Sequence, residues 1–193
     1  APPGEALATL SVRSGFDLLL DTLAWLPGSE LLCSALNIPD MPMIARQHGV
    51  VPVPVDLDVA RLAPDLERLE RALRPRTRGI LIPHPYRNFV PMARIAALAR
   101  RHGLMLLEDC AEVYDGVYRG HADADVSFFS FGPLKTATAF AGGAMRLRDA
   151  DLALRLRQRH ADWPIQGRWD FCKRLSKYGT MRLFGSRLLY GTV

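Results

Sequence analysis

"GLMLLEDC", residues 103–110, sets four apolar residues behind a glycine and closes them with Glu108, Asp109 and Cys110. "DVSFFSF", residues 125–131, repeats the device with serines. Each run is too short for an ordinary helix and ends in polar or turn residues, which is the pattern of a strand buried on both faces of a sheet. "ELLCSA" (30–35), "VVPVPVD" (50–56) and "GILIPHP" (79–85) read the same way. Between them, Phe16–Trp25, Pro39–His48, Pro64–Leu73 and Val90–His102 carry apolar residues at helical spacing with arginines opposite, and Pro64 and Pro91 stand where a first helical turn accepts them. Strands alternating with helices predict an α/β fold: a mostly parallel, doubly wound sheet with flanking helices, whose ligands gather at the carboxyl ends of the strands.

Charge divides the chain. The net charge is +5 over 193 residues. Residues 151–193 hold nine basic residues (Arg155, Arg157, Arg159, Arg168, Lys173, Arg174, Lys177, Arg182, Arg187) against three acids, a local excess of six, so residues 1–150 sum to about −1. We therefore expect a sheet domain over 1–150, a boundary near Asp149–Asp151, and a basic helical tail over 151–193. Trp163, Trp169, Phe171, Tyr178, Phe184 and Tyr190 interleave with those charges. The mixture could suit RNA, an anionic membrane surface or a partner protein, but a solvated helical segment that packs its aromatics on a neighbour is expected. Cys33, Cys110 and Cys172 lie far apart with no C-x-x-C, which argues against a zinc site or a disulfide framework and for a reducing, cytoplasmic setting. The run from Phe16 to Leu26 is interrupted by Asp17 and Asp21, well short of the roughly 20 apolar residues of a membrane span, and no signal peptide is expected.

The strand ends carry the chemistry. Glu108 and Asp109 put a carboxylate at the ligand edge of a central strand, and the turn after Ser130 presents Lys135 at the same edge. Lys135 is one of only three lysines, with Lys173 and Lys177. Neither G-x-x-x-x-G-K-[ST] nor G-x-G-x-x-G occurs, so nucleotide hydrolysis and hydride transfer lose their main support. A desolvated amine forms Schiff bases, and pyridoxal phosphate chemistry needs such a lysine together with a carboxylate that holds the pyridine nitrogen protonated. Asp109 and Lys135 suit those roles. His84, Tyr86 and Arg87 in "IPHPYRN" fall near the proposed pocket, with His84 expected to be a structural turn residue; His102 ends a helix before a capping glycine, and Cys110 reads as a small buried filler.

The whole stretch "LLEDCAEVYDGVYRGHADADVSFFSFGPLKTATAFAGG" resembles the core of the DegT/DnrJ/EryC1/StrS aminotransferases, fold-type I pyridoxal-phosphate enzymes that aminate nucleotide-linked keto sugars. The family order, E-D-x-A-[QH], then S-F-x-x-x-K, then a Gly-Gly pair, is met by Glu108 to Glu112, Ser130 to Lys135 and Gly142-Gly143. The resemblance implies that Asp109 pairs with the pyridine nitrogen, Ser130 binds the cofactor phosphate and Lys135 carries the internal aldimine. Upstream, "SGFDLLLDTLAWLPGSELLCSALNIPDMPMIARQHGVVPVPVDLD" follows the family pattern more faintly, so Ser14 and Gly15 would open the first helix and offer its amides to the phosphate. Phe16, Ile38 and Glu112 depart from it: they stand where the family usually has a phosphate-binding threonine, a stacking aromatic ring, and a glutamine or histidine on the cofactor's hydroxyl. A lysine where the family's sugar dehydratases carry histidine points to transamination. Relatives continue into a small domain that closes over the sugar, whereas this chain stops at "RLLYGTV" and its arm is reduced to "APPGEALATLSVR". A fragment or a shortened relative is therefore expected, with weak catalysis, loose cofactor binding and a homodimeric assembly; the alternative is a degenerate relative serving as a binding or regulatory protein.

Overall fold

A computed structural model describes residues 5–185. Arg187 and Tyr190 of the tail, the closing "RLLYGTV" and residues 1–4 of the arm lie outside the described residues. In chain order the elements are β1 (Glu5–Thr9), α1 (Val12–Leu23), β2 (Glu30–Ser34), α2 (Asp40–Gln47), β3 (Val51–Val55), β4 (Leu57–Asp58), β5 (Ala63–Pro64), α3 (Leu66–Ala72), β6 (Thr77–Pro83), α4 (Met92–Arg101), β7 (Met105–Asp109), β8 (Val126–Ser130), β9 (Gly143–Leu147), α5 (Ala150–Ala161) and α6 (Arg168–Phe184). Seven strands form one sheet in the order β1-β9-β8-β7-β6-β2-β3, and β4 with β5 makes a small separate ribbon. Strands β2, β3, β6, β7 and β8 are parallel neighbours; β9 alone runs antiparallel, to both β8 and β1. The five expected strands are these five parallel ones.

Period-two alternation sorts each strand between two cores. Leu31, Leu81, Leu107, Phe128 and Met145 pack under α1, α2 and α5, with Phe16, Leu19, Met41 and Leu156 facing them. Leu32, Ile80, Ile82 and Leu106 face the other way, against Leu69 of α3 and Ile95 and Ala99 of α4. Burying a side chain the size of Phe16, which is fully enclosed and meets Phe128 edge-on at 6.1 Å, stabilises by roughly 1.5–3 kcal/mol.

Local chemistry explains the boundaries. α1 begins at Val12, ahead of the expected Phe16, because Ser11 and Ser14 form a reciprocal cap: the Ser14 amide donates to Ser11 Oγ at 3.1 Å and the Ser11 amide to Ser14 Oγ at 2.8 Å. Ser14 therefore sits inside the first turn rather than at its start. β3 tolerates Pro52 and Pro54 because it is an edge strand; the amide of Val51 turns toward β2, donating to Ser29 O, so the alternate proline positions face outward and cost no ladder bond. Gly143 must be glycine, since a Cβ there would lie 2.6 Å from the Ser11 carbonyl carbon, where β9 runs under the start of α1. α5 returns to the sheet: Leu152, Ala153 and Leu156 join the first core and Arg159 pairs with Asp21. The packed unit thus continues past the composition change at 149–151. α6 lies largely exposed, touching the sheet unit where Tyr178 stacks on Phe140, 6.5 Å between centroids and 11° between planes.

Candidate active site

The chain leaves β2 for β3 on one side and β6 for β7 on the other, so strand order reverses between β2 and β6. Crevices form at such a point. A cleft of about 210 Å³ opens there, lined by Leu36, Asn37 and Ile38 after β2, residues 83–86 after β6, Asp109, Ala111 and Glu112 after β7, and Lys135 after β8. A shallower groove of about 410 Å³ at the β3 edge is bridged by the Arg68–Asp56 ion pair at 2.7 Å and brings no reactive groups together.

Asp109 and Glu108 adjoin in sequence and part in space. Asp109 shares the parity of Leu107 and closes its strand at the cleft, 7% exposed. Burial raises its pKa, while the Ala111 amide at 2.9 Å and the charge of Lys135 pull the other way. A buried carboxyl in that condition is a receptor for a cationic partner. Glu108 points to the opposite face and is wholly enclosed, accepting from His84 Nε2 (2.8 Å), the Tyr118 hydroxyl (2.6 Å), the Ser127 hydroxyl (2.9 Å) and the His121 amide (2.7 Å). Burial pushes its pKa up, but the hydrogen bonds from His84, Tyr118 and His121 outweigh it and hold the carboxyl down at about 2. Gly120 is what lets the loop pass over this carboxylate: its φ is +82°, and a Cβ would fall 2.2 Å from Ser127 Oγ and 2.9 Å from Glu108 Oε2.

His84 is the structural turn residue the sequence suggests. The Val90 amide donates to its Nδ1 at 3.0 Å, so Nε2 carries the proton given to Glu108. Donor atoms of His84, Glu108 and Cys110 lie within 4.8 Å of one another. The histidine and the carboxylate are already engaged, and burial pushes the Cys110 thiol far up, so the trio reads as an internal network rather than a ligand set.

Lys135 reaches the cleft from the excursion between β8 and β9, which is closed by Lys135 N–H to Gly132 O (3.1 Å), Ala139 N–H to Phe131 O (3.0 Å) and Phe131 N–H to Gly142 O (3.0 Å). Of the other expected site residues, Glu112 lines the cleft, but its Oε2 accepts the Tyr86 amide at 2.7 Å. Tyr86 and the next residue, Arg87, both hold left-handed backbone (φ 52° and 63°), and Arg87 Nη1 donates to Thr136 Oγ1 at 2.8 Å, beside Lys135. Ser130 ends β8, its Oγ 3.7 Å and Lys135 Cγ 3.9 Å from the space above Gly132, so it sits beside the lysine turn and outside the cleft lining. Ser14 is spent on the helix cap, and Gly15 is buried, its place for a Cβ only 3.2 Å from Met145 Sδ; neither lines the cleft. Phe16 is a core residue and takes no part in the site. Asn37, which the sequence reading passed over, lines it.

A parallel sheet that brings one amine and one buried carboxyl into a cleft at its switch point has the architecture of a fold-type I pyridoxal-phosphate enzyme's large domain. The sequence model of the DegT/DnrJ/EryC1/StrS aminotransferase family matches residues 3–173, and the chain belongs to that family. It is similar to the L-glutamine:2-deoxy-scyllo-inosose aminotransferase of Streptomyces lividus, 33% identical over 160 residues, covering 81% of this chain and 35% of that protein. It is also similar to the dTDP-3-amino-3,4,6-trideoxy-alpha-D-glucose transaminase of Streptomyces venezuelae, 36% identical over 155 residues, covering 77% and 41%. Among solved structures, NtdA from Bacillus subtilis with bound cofactor PMP superposes with a TM-score of 0.73 at 26% identity, covering 81% of this chain and 36% of that one. The chain thus spans about two-fifths or less of the length of these relatives. Among the described residues no helix is long and apolar enough to cross a membrane.

Proposed function

We propose that this chain is the pyridoxal-phosphate-binding large domain of an aminotransferase that converts a cyclic polyhydroxy ketone, a keto sugar linked to a nucleotide, into the corresponding amine at the expense of an amino-acid donor such as glutamate. The observation that carries this reading is the meeting of Lys135 and Asp109 in one cleft. When bound, pyridoxal phosphate supplies an electron sink for the carbon that bears the transferred nitrogen. Asp109 would hold the ring nitrogen, where a positive charge would offset the burial that raises the pKa of its carboxyl. Lys135 would hold the cofactor through its amine and, at the cleft, is the group that would carry a proton to or from the substrate carbon. Ile38 would offer one aliphatic face to the ring, and Glu112 already accepts the Tyr86 amide. Ser130, beside the lysine turn, is the candidate phosphate contact; Ser14 and Gly15 contribute through the fixed start of α1 rather than by direct lining.

The test is covalent. Borohydride reduction of protein mixed with pyridoxal phosphate should fix an adduct on the peptide containing Lys135. An adduct spread over Lys173 and Lys177, or none, overturns the reading. The same proposal includes a cytoplasmic, homodimeric enzyme: the three dispersed cysteines suit a reducing compartment, and the exposed apolar side chains around the cleft suit a partner surface.

A further inference from the structure

The loop after β6 is held in a backbone conformation that residues with a β-carbon avoid. Tyr86 and Arg87, in succession, take left-handed backbone at φ 52° and 63°. Four hydrogen bonds impose it: the Tyr86 amide to Glu112 Oε2 (2.7 Å), the Asn88 amide to Pro85 O (2.9 Å), Asn88 Nδ2 to Arg61 O (2.7 Å) and the Val90 amide to His84 Nδ1 (3.0 Å). Strain that the surroundings over-determine gathers at active sites and ligand clamps. What this strain aims is the Arg87 guanidinium. Its Nη1 donates to Thr136 Oγ1 at 2.8 Å, so the side chain reaches from the loop after β6 to the loop after β8. Strand β7 lies between those two strands, so Arg87 spans the carboxyl end of the strand that carries Asp109 and finishes one residue from Lys135. Thr136 is a neutral partner. Among the described residues no carboxylate forms an ion pair with Arg87, which is exposed. Asp115, whose carboxyl its charge helps to hold below the usual range, accepts the Val117 and Tyr118 amides instead.

We propose that Arg87 receives an oxyanion of the substrate at the mouth of the cleft, the carboxylate of the amino-acid donor or a phosphate of the nucleotide-linked sugar; the identity of that anion rests on the reaction proposed above. The cleft lining cannot supply this contact. It holds two carboxyls, Asp109 and Glu112, which repel an anion, and Lys135 is its one lysine or arginine, an amine that the cofactor would take. A second cation must come from beside the lining, and Arg87 is the one tied to the lysine loop. With Nη1 anchored on Thr136, Nε and Nη2 remain for an acceptor, and a planar guanidinium fits the paired oxygens of a carboxylate or phosphate better than a point charge does. An anion seated there is fixed relative to Lys135, which turns the substrate carbon toward the amine.

The experiment titrates glutarate, which carries the carboxylates of such a donor without an amine, and thymidine diphosphate into the chain before and after borohydride has fixed pyridoxal phosphate on Lys135. Each is measured with the unaltered chain, Arg87→Gln, Arg87→Gly and, as a control that removes the same charge from an exposed position on α5, Arg155→Gln. Arg87→Gln should weaken at least one ligand about tenfold or more, the scale of one charge-assisted hydrogen bond, and Arg155→Gln should leave both unchanged. A loss confined to glutarate assigns the contact to the donor carboxylate, a loss confined to thymidine diphosphate assigns it to the sugar nucleotide, and a loss for both assigns it to one oxyanion site that either fills. Arg87→Gly should lose the same affinity while its melting temperature holds or rises, since glycine takes φ 63° without a β-carbon to strain. A melting temperature that falls with anion affinity unchanged makes Arg87 a strut of the loop and overturns the proposal, as does a loss that Arg155→Gln matches, or failure of both ligands to bind the unaltered chain. Absence of the borohydride adduct defeats the cofactor reading alone, because the titrations of the untreated chain still decide Arg87.

Discussion

At the scale of the residue, neighbours one bond apart have unrelated duties, and strand parity decides which is which. Asp109 and Lys135 were legible because an apolar strand has no use for a terminal carboxyl, and a chain with few lysines places one after a Gly-Pro turn. Glu108 was not legible as a structural anion, because its four donors come from residues 84, 118, 121 and 127 and meet only in the folded chain. Asn37 was passed over for a related reason: only the folded chain brings the loop after β2 to the cleft. Asp109→Asn should lower kcat/KM by two orders of magnitude or more, on the order of 3 kcal/mol of transition-state stabilisation, with an unchanged melting temperature, since burial already opposes the charge. Glu108→Gln should do the reverse and cost stability first, because its amide nitrogen turns a donor toward groups that are themselves donors. Glu108 titrates near 4.5 in the unfolded chain and at about 2 when folded, so its carboxylate contributes roughly 3 kcal/mol above the unfolded value, lost as pH falls through the folded one. Urea denaturation between pH 6 and pH 2 should show that acid loss in the parent and a much flatter profile in Glu108→Gln; parallel profiles would refute the network.

At the scale of the element, the two-faced parallel strands announce themselves, whereas β1 and β9 do not. "EALAT" and "GAMRL" mix polar residues into runs of five, and Arg146 in β9 faces the buried network on the back of the sheet, where its Nη2 donates to loop carbonyls and Ser127. No local pattern reports such a partner. α5 was expected in a solvated basic tail and instead closes one core, its arginines reaching Asp21 and Glu5 at the surface while its leucines turn inward. Composition averaged over a window sees the arginines and misses the stripe. Leu156→Ala should therefore cost about 2–5 kcal/mol by cavity formation, whereas Leu183→Ala on exposed α6 should change unfolding of the monomeric chain by less than about 0.5 kcal/mol. Equal costs at the two positions would mean that α6 is as much part of the folded unit as α5. Gly120→Ala tests the loop over Glu108 in the same way: with positive φ and a Cβ driven against Ser127 and Glu108, the melting temperature should fall by several degrees.

At the scale of the whole molecule, the open question is what covers the mouth of the cleft. Leu134, next to Lys135, is 97% exposed, and Ile38, Tyr86, Phe89 and Val117 are also exposed large apolar side chains on the loops after β2, β6 and β7. Single exposed apolar residues are ordinary, but several on the loops that build one site carry a cost in water that a second protein surface removes. A second copy of this chain satisfies the condition most economically, since closed two-fold association is the commonest assembly and buries the same patch on both partners. Sedimentation at micromolar concentration should report a dimer, and Leu134→Glu, which leaves the lysine and the Gly-Pro turn in place, should shift it toward monomer without lowering the monomer's unfolding free energy. Dissociation should also expose the cleft to water, so Leu134→Glu should lose affinity for pyridoxamine phosphate in step with the monomer fraction, and raising protein concentration should restore both together. A parent that sediments as a monomer, or a variant that dissociates while binding pyridoxamine phosphate at full affinity, would separate the site from the interface and leave the apolar mouth to a different partner.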